Sequence, residues 1–180
     1  MKLSRRGLIS VVSALATTML VFAAPARAAD TKEIVYLTPG LNLPFWRYLS
    51  NGIESEAKKA GFSYTALDSN NSAETQLKNA QDAIARGVAG IAISPTDSST
   101  APSVLAAAAR AKIPVVVADI GTNSGDYASF IISDNKQGAF GVGEALAAAM
   151  KEKGWQDGSV GLITISQARK NGQARTAGFR

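Results

Sequence analysis

The chain has 180 residues, no cysteine and no histidine, and nineteen Lys/Arg against fourteen Asp/Glu, a formal charge of +5. Its length allows one domain or a little more, at about 100–200 residues each, and a hydrophobic content of 46% is that of a globular chain. A serine–histidine–aspartate triad, a cysteine nucleophile, a disulfide framework and a cysteine/histidine zinc site are all excluded by composition.

The first element is an address. Lys2, Arg5 and Arg6 precede an uncharged run from Gly7 to Ala24, then Pro25 and Ala26-Arg27-Ala28. Basic head, apolar core and small-residue A-x-A site read as a secretory signal peptide over residues 1–28, cleaved after Ala28. The A-x-A triplet and the Ser/Thr within the run favour cleavage over a membrane anchor. Ser4-Arg5-Arg6 resembles the start of a twin-arginine signal, so the export route, general or twin-arginine, stays open. With no cysteine there is no site for lipid attachment, and a soluble periplasmic protein is expected. Four of the nineteen basic residues lie in this leader and none of the acids do, so the mature chain carries fifteen against fourteen. No basic patch is left to support nucleic-acid binding.

The mature chain alternates strand and helix. Glu33 to Thr38 reads as a strand. Pro44 to Ala60 reads as a helix with proline at its start and Gly61 at its end, burying Phe45, Leu49, Ile53 and Ala57. Ser63 to Leu67 is a second strand. A second helix begins at Ser72, with Leu77, Ala80, Ile84 and Ala85 on one face, Glu74 in its first turn and Gly87 as its stop. Val88 to Ser94 is an apolar strand of the buried parallel kind, Ala101 to Lys112 a helix, and Pro114 to Ala118 a fourth strand. Tyr127 to Ser133 is a fifth strand, Asn135 to Lys153 a long helix, and Ser159 to Ile165 a sixth strand. A last helix begins near Asn171 or Gly172.

This order predicts an α/β fold with a doubly wound parallel sheet. Ligands of such sheets bind beyond the carboxyl ends of the strands, here at the loops that begin at Thr38, Asp68, Ser94 and Asp119. Gly138, Gly141 and Gly143 lack the order of a nucleotide fingerprint and fit tight helix packing instead, and there is no phosphate-loop sequence. Asp119, at the end of an apolar strand, reads as an acceptor for a ligand or a helix cap; no second acid can be paired with it for catalysis. Phe45 and Trp46 are adjacent helix residues about 100° apart, so both cannot face one core. One is free to wall a cleft, and an aromatic wall with Asp119, Asn42 and an arginine would meet both the apolar faces and the hydroxyls of a sugar.

At these residues the chain resembles the ribose-binding-like periplasmic substrate-binding proteins, of type 1 periplasmic binding protein fold. The likeness rests on Asn42-Leu-Pro-Phe45-Trp46, Leu67-Asp68-Ser69-Asn70-Asn71, Ile93-Ser-Pro-Thr-Asp97-Ser98, Ile113 to Asp119, Ser133-Asp134-Asn135 and Gln173 to Phe179, in that order. The resemblance implies a two-lobe receptor for a sugar or sugar-like solute, serving an inner-membrane ABC permease without cofactor, metal or catalysis. The first lobe runs to Asp134 after the leader (29–134) and the second begins at Asn135 (135–180). It implies that Phe45 and Trp46 sandwich the sugar, Ser94 hydrogen-bonds it, Asp119 takes two hydroxyls and Arg175 closes over it from the second lobe. Ribose binders carry arginine where this chain has Ile120, and asparagine at the positions of Leu43 and Ser94, which leaves pentose specificity open. Family members are roughly twice the mature size, so the chain is expected to be C-terminally truncated, with the second lobe only begun. The alternative is a ligand-sensing subunit of the same fold that signals to a histidine kinase or chemoreceptor.

Overall fold

The computed structural model describes residues 31–180, so the signal-peptide reading of residues 1–28 lies outside the described residues. Five strands form one sheet: β1 (Thr31–Thr38), β2 (Ser63–Asp68), β3 (Val88–Ile93), β4 (Val115–Ala118) and β5 (Ser129–Ile131). All four pairings are parallel, in the order β2-β1-β3-β4-β5. The connecting helices are α1 (Pro44–Lys59), α2 (Ala73–Ala85) and α3 (Ala101–Arg110); α4 (Asn135–Glu152) and α5 (Lys170–Phe179) follow β5. The order reverses direction between β1 and β3. Right-handed crossovers then place α1 on one face of the sheet and α2 and α3 together on the other.

The core follows from strand alternation. Val35, Leu37, Ile91, Ile93, Val115 and Val117 point to one face and pack with Ala80 and Ala83 of α2 and Val104, Leu105 and Ala108 of α3. On the other face α1 buries Trp46, Ser50 and Ala57. The helix face is thus turned from the predicted one: Trp46 points inward and Phe45 outward, with Leu49 and Ile53 half-buried. A four-residue repeat drifts about 40° per step against the 100° helical turn, so the expected stripe winds off the face that meets the sheet. On α2 the expected Leu77, Ala80 and Ile84 do pack on the core, joined by the buried Gln76 and Ala83, while Ala85 is exposed.

Two further expectations change. Strand β5 spans only Ser129–Ile131, with Tyr127 and Ile132 exposed on either side of it. Residues 159–165 do not form the expected sixth strand. A strand is completed by a neighbour's hydrogen bonds, and no described strand runs beside this segment; Ile163 is wholly exposed.

Helix ends obey local chemistry. The Ser72 hydroxyl accepts from the Thr75 amide at 3.2 Å, and the Asp134 carboxylate accepts from the Gln137 amide at 2.9 Å, capping α2 and α4. Helices α4 and α5 meet backbone to backbone at two glycines. A Cβ on Gly178 would collide with the Lys136 carbonyl, and one on Gly143 would lie 3.0 Å from the Phe179 carbonyl oxygen. Gly138 and Gly141 have open space instead, so only Gly143 of the three serves close packing.

Candidate functional site at the carboxyl ends of the strands

Asp119 is the residue after β4. Its backbone sits in the left-handed region, at φ +61°, a conformation that aspartate tolerates better than most side chains. Its amide donates to the Ile131 carbonyl at 2.8 Å, so the turn is fastened to β5. Its carboxylate is half-buried and accepts from the Asn171 side-chain amide at 2.8 Å. Burial pushes this carboxyl above its ordinary value, against the opposing pull of Arg175, Arg169 and the Asn171 hydrogen bond.

Ser94 closes β3 and is fully buried. Its hydroxyl hydrogen-bonds the Tyr36 phenol of β1 at 3.0 Å, and its amide donates to the Leu37 carbonyl at 3.0 Å. Burial raises the Tyr36 phenol, which also feels the charge of Asp119. Below this pair lies Gln76, a polar residue on the inward face of α2. Its amide donates to the Ser94 carbonyl and its carbonyl accepts from the Thr96 amide, both at 3.0 Å. That clamp fixes the turn after β3, and every polar group of the Gln76 side chain is used in it except one N–H.

The loops after β1 and β2 are tied by Asp68. Its two carboxylate oxygens accept from the amides of Leu41 and Asn70, each at 2.8 Å. Asn70 and Asn71 both take positive φ, which asparagine accommodates. Above them, Asn42 folds back over Gly40: its side-chain oxygen lies 2.7 Å from where a Cβ on residue 40 would stand. The Arg47 guanidinium donates to the carbonyls of Leu41 and Asn42 at 2.9 and 3.0 Å, stapling this loop to α1. Phe45 and Trp46 meet edge to face at 4.8 Å, Phe45 being 54% exposed and Trp46 only 5%.

The chain after α4 returns to the same end of the sheet. Arg169 donates to the Thr96 carbonyl at 3.0 Å and to the Asn71 side chain at 2.5 Å. The Lys170 amide donates to the Ser98 hydroxyl at 3.1 Å, and the Ser98 amide to the Ala168 carbonyl at 3.2 Å. Asn171 then reaches Asp119. Arg175, one turn on, donates to Asn135 at 2.7 Å.

Of the residues singled out from sequence, Ser94 is bonded to Tyr36, whose phenol feels the Asp119 charge, and Arg175 lies in electrostatic reach of Asp119. Asn42, Phe45 and Trp46 form a second group on the β1–α1 connection. Sequence reasoning missed Tyr36, Gln76, Arg169 and Asn171. Gln76 left a trace, a polar residue in line with Ala80 and Ala83; Asn171 left none, since its partner lies 52 positions away. A groove of about 440 Å³ lies away from Asp119, between α4, α5 and residues 162–165. Val142, Leu162, Ile163, Ile165 and Phe179 give it an apolar wall, and Asp134, Asn135, Arg175 and Thr176 are among its polar residues.

A parallel sheet with polar side chains gathered at its carboxyl ends, tied to a segment that returns from beyond the last strand, is a doubly wound architecture, and it is at this end that such sheets bind ligands. The chain belongs to the periplasmic binding protein domain family, whose model matches residues 34–180. It is 36% identical over 171 residues to the ribose import binding protein of Salmonella typhimurium, covering 95% of this chain and 57% of that one. It is 32% identical over 155 residues to the D-apiose import binding protein of Paraburkholderia graminis, covering 86% and 48%. Among solved structures it is similar to a carbohydrate transporter solute-binding protein from Agrobacterium radiobacter in complex with D-arabinose: 27% identity, TM-score 0.75, 84% of this chain and 52% of that one. The chain spans about half the length of the curated relatives it matches.

Proposed function

We propose that this protein is a periplasmic solute-binding protein that captures a sugar or sugar-like small molecule and delivers it to an inner-membrane ABC permease. Residues 29–134 form its first ligand-binding lobe, and residues from 135 onward belong to a second. The observation that carries the reading is Asp119: a half-buried carboxylate at a strand end, in a left-handed turn, bonded to Asn171 and within electrostatic reach of Arg175. A carboxylate accepts from two hydroxyls at once, and a charge-assisted bond of this kind is worth about 1.5–3 kcal/mol. Ser94, fully buried and held by Tyr36 and the Gln76 clamp, fixes the end of β3 beneath the site. Exposed Phe45 supplies an apolar face for the C–H side of a sugar ring, with Trp46 as the buried support that sets its angle, and Arg175 approaches from the second lobe. Asn42 shapes the rim above Gly40. The set supplies acceptors, donors and an apolar face, and the role we propose for it is binding, in keeping with relatives named as import binding proteins.

Relatives named for ribose and D-apiose import, and a structural neighbour holding D-arabinose, support a pentose-sized solute. A thermal-shift screen of the protein as its gene encodes it, against D-ribose, D-arabinose, D-apiose, hexoses and polyols, tests the proposal. At least one of these is expected to raise the melting temperature in a concentration-dependent way. A flat response across all of them would overturn it.

A further inference from the structure

The Asn171 side chain is 3% exposed. Its amide nitrogen donates to Asp119 at 2.8 Å, while its oxygen, equally buried, has no hydrogen-bond partner. The orientation is not interchangeable: turning the carboxamide over would set its oxygen against the carboxylate, two acceptors face to face. The acceptor is therefore fixed pointing away from the bond to Asp119, yet about 2 Å from the donating nitrogen by amide geometry, and so still beside the carboxylate. Buried acceptors are rarely left unmet, and one that is calls for a donor. Asp119 uses one carboxylate oxygen on Asn171. Its other oxygen and the Asn171 carbonyl form neighbouring acceptors without protein donors among the described residues.

Asn171 also stands where the returning chain is fastened. The Lys170 amide is held by Ser98 and the Arg169 side chain by Thr96 and Asn71, so the chain is anchored at the two residues that lead into Asn171. The carboxamide is presented to Asp119 by a rigid mount.

We propose that Asn171 is a ligand-reading residue: beside Asp119 it accepts from one of two neighbouring hydroxyls of a sugar or polyol, so that the pair recognises a vicinal diol. This rests on the solute-binding role proposed above. A ligand with a single hydroxyl, or with a carboxylate in place of the diol, would leave one acceptor unmet or face like charge.

Calorimetric titration of the protein as its gene encodes it, with D-ribose, D-arabinose and the 2-, 3- and 5-deoxy derivatives of D-ribose, tests this on wild type, Asn171→Ala and Asn171→Ser. The substitutions are expected to weaken binding of the better pentose about tenfold or more, with the melting temperature of the ligand-free protein unchanged or raised. For one deoxy derivative the penalty should vanish, because the hydroxyl that Asn171 reads is already gone. Equal affinity in wild type and both variants overturns the proposal, as does a penalty that persists undiminished across every deoxy derivative, which would make Asn171 a support for Asp119 alone. If wild type binds neither pentose nor any derivative, the diol-reading role falls too; a flat thermal-shift screen would then place the fault in the solute-binding reading, and a positive one in this inference.

Discussion

Helices α3 and α4 are both alanine-rich and both follow a strand of the same sheet, yet they end in opposite surroundings. α3 buries Ala101, Val104, Leu105 and Ala108; α4 has no buried residue at all. α3 lies over β3 and β4 with α2 alongside, whereas α4 is held to α5 by the close backbone approaches at Gly143 and Gly178. An apolar stripe specifies a face to be covered, and burial depends on what the fold lays over it. The first region is held by side-chain packing and the second by backbone proximity. The candidate site stands at the seam, with Asp119 from one and Asn171 from the other.

The contrast predicts the largest stability effect at Trp46. Trp46→Ala should cost about 3–5 kcal/mol, as for other large buried aromatics, while Phe45→Ala, one residue away but half-exposed, should leave stability within about 0.5 kcal/mol and weaken solute binding. Denaturant unfolding and titration of the two variants separate these outcomes; equal stability losses would contradict the assignment of Trp46 as support and Phe45 as face.

A matched pair probes the two helices directly. Val104 is 2% exposed on α3 and Val142 is 61% exposed on α4. Val104→Ala should cost about 2 kcal/mol through lost burial and residual cavity, and Val142→Ala less than about 0.5 kcal/mol. Chemical denaturation checks both, and similar costs would erase the distinction between the regions.

Smaller and more local is the effect at Gly178. Gly178→Ala places a methyl against the Lys136 carbonyl and should cost about 1–3 kcal/mol of overpacking. Amide exchange should quicken in α4 and α5 and leave β1 and β3 unchanged. Protection lost uniformly across the sheet would show that the two regions unfold as one.

The smallest effect is a pH dependence at the seam. The Asp119 carboxyl titrates higher in the fold than in the unfolded chain, because burial disfavours its charge. Its contribution to stability is therefore fully present below the ordinary carboxylate value and is lost as pH rises through the raised one. Solute binding needs the carboxylate and runs the other way, weakening as pH falls through that same range. Asn at this position keeps the left-handed turn and carries no charge, so Asp119→Asn should equal or exceed wild-type stability at neutral pH and lose the difference in acid. A variant less stable at neutral pH and recovering in acid would reverse the sign.

The strand–helix alternation was legible because each apolar run was short and each helix was bounded by proline, glycine or a capping residue. Pro44, Gly61, Ser72 and Gly87 mark ends that the structure keeps within a residue or two. The strand-end positions of Ser94 and Asp119 were legible for the same reason. What failed was whatever depends on a distant partner. Residues 159–165 carry a strand's composition without a neighbouring strand, and the inward turn of Trp46 is decided by the sheet it meets. Asn171 looks like an ordinary residue in the first turn of a helix; only the return of α5 to the end of β4 gives it a partner. Arg169 illustrates the same point from the side of charge. Ile120, next to Asp119, is wholly buried, while Arg169 brings a cation to the Asp119 carboxylate from far along the chain.

The central claim is that Asp119 is the acceptor on which solute capture turns. Its most direct test is calorimetric titration of wild type and Asp119→Asn, in the protein as its gene encodes it, with the pentose or polyol that gives the greatest thermal shift. The account predicts saturable binding by wild type and at least a hundredfold loss in the variant, with the ligand-free variant as stable as wild type. Undiminished binding by Asp119→Asn would contradict it.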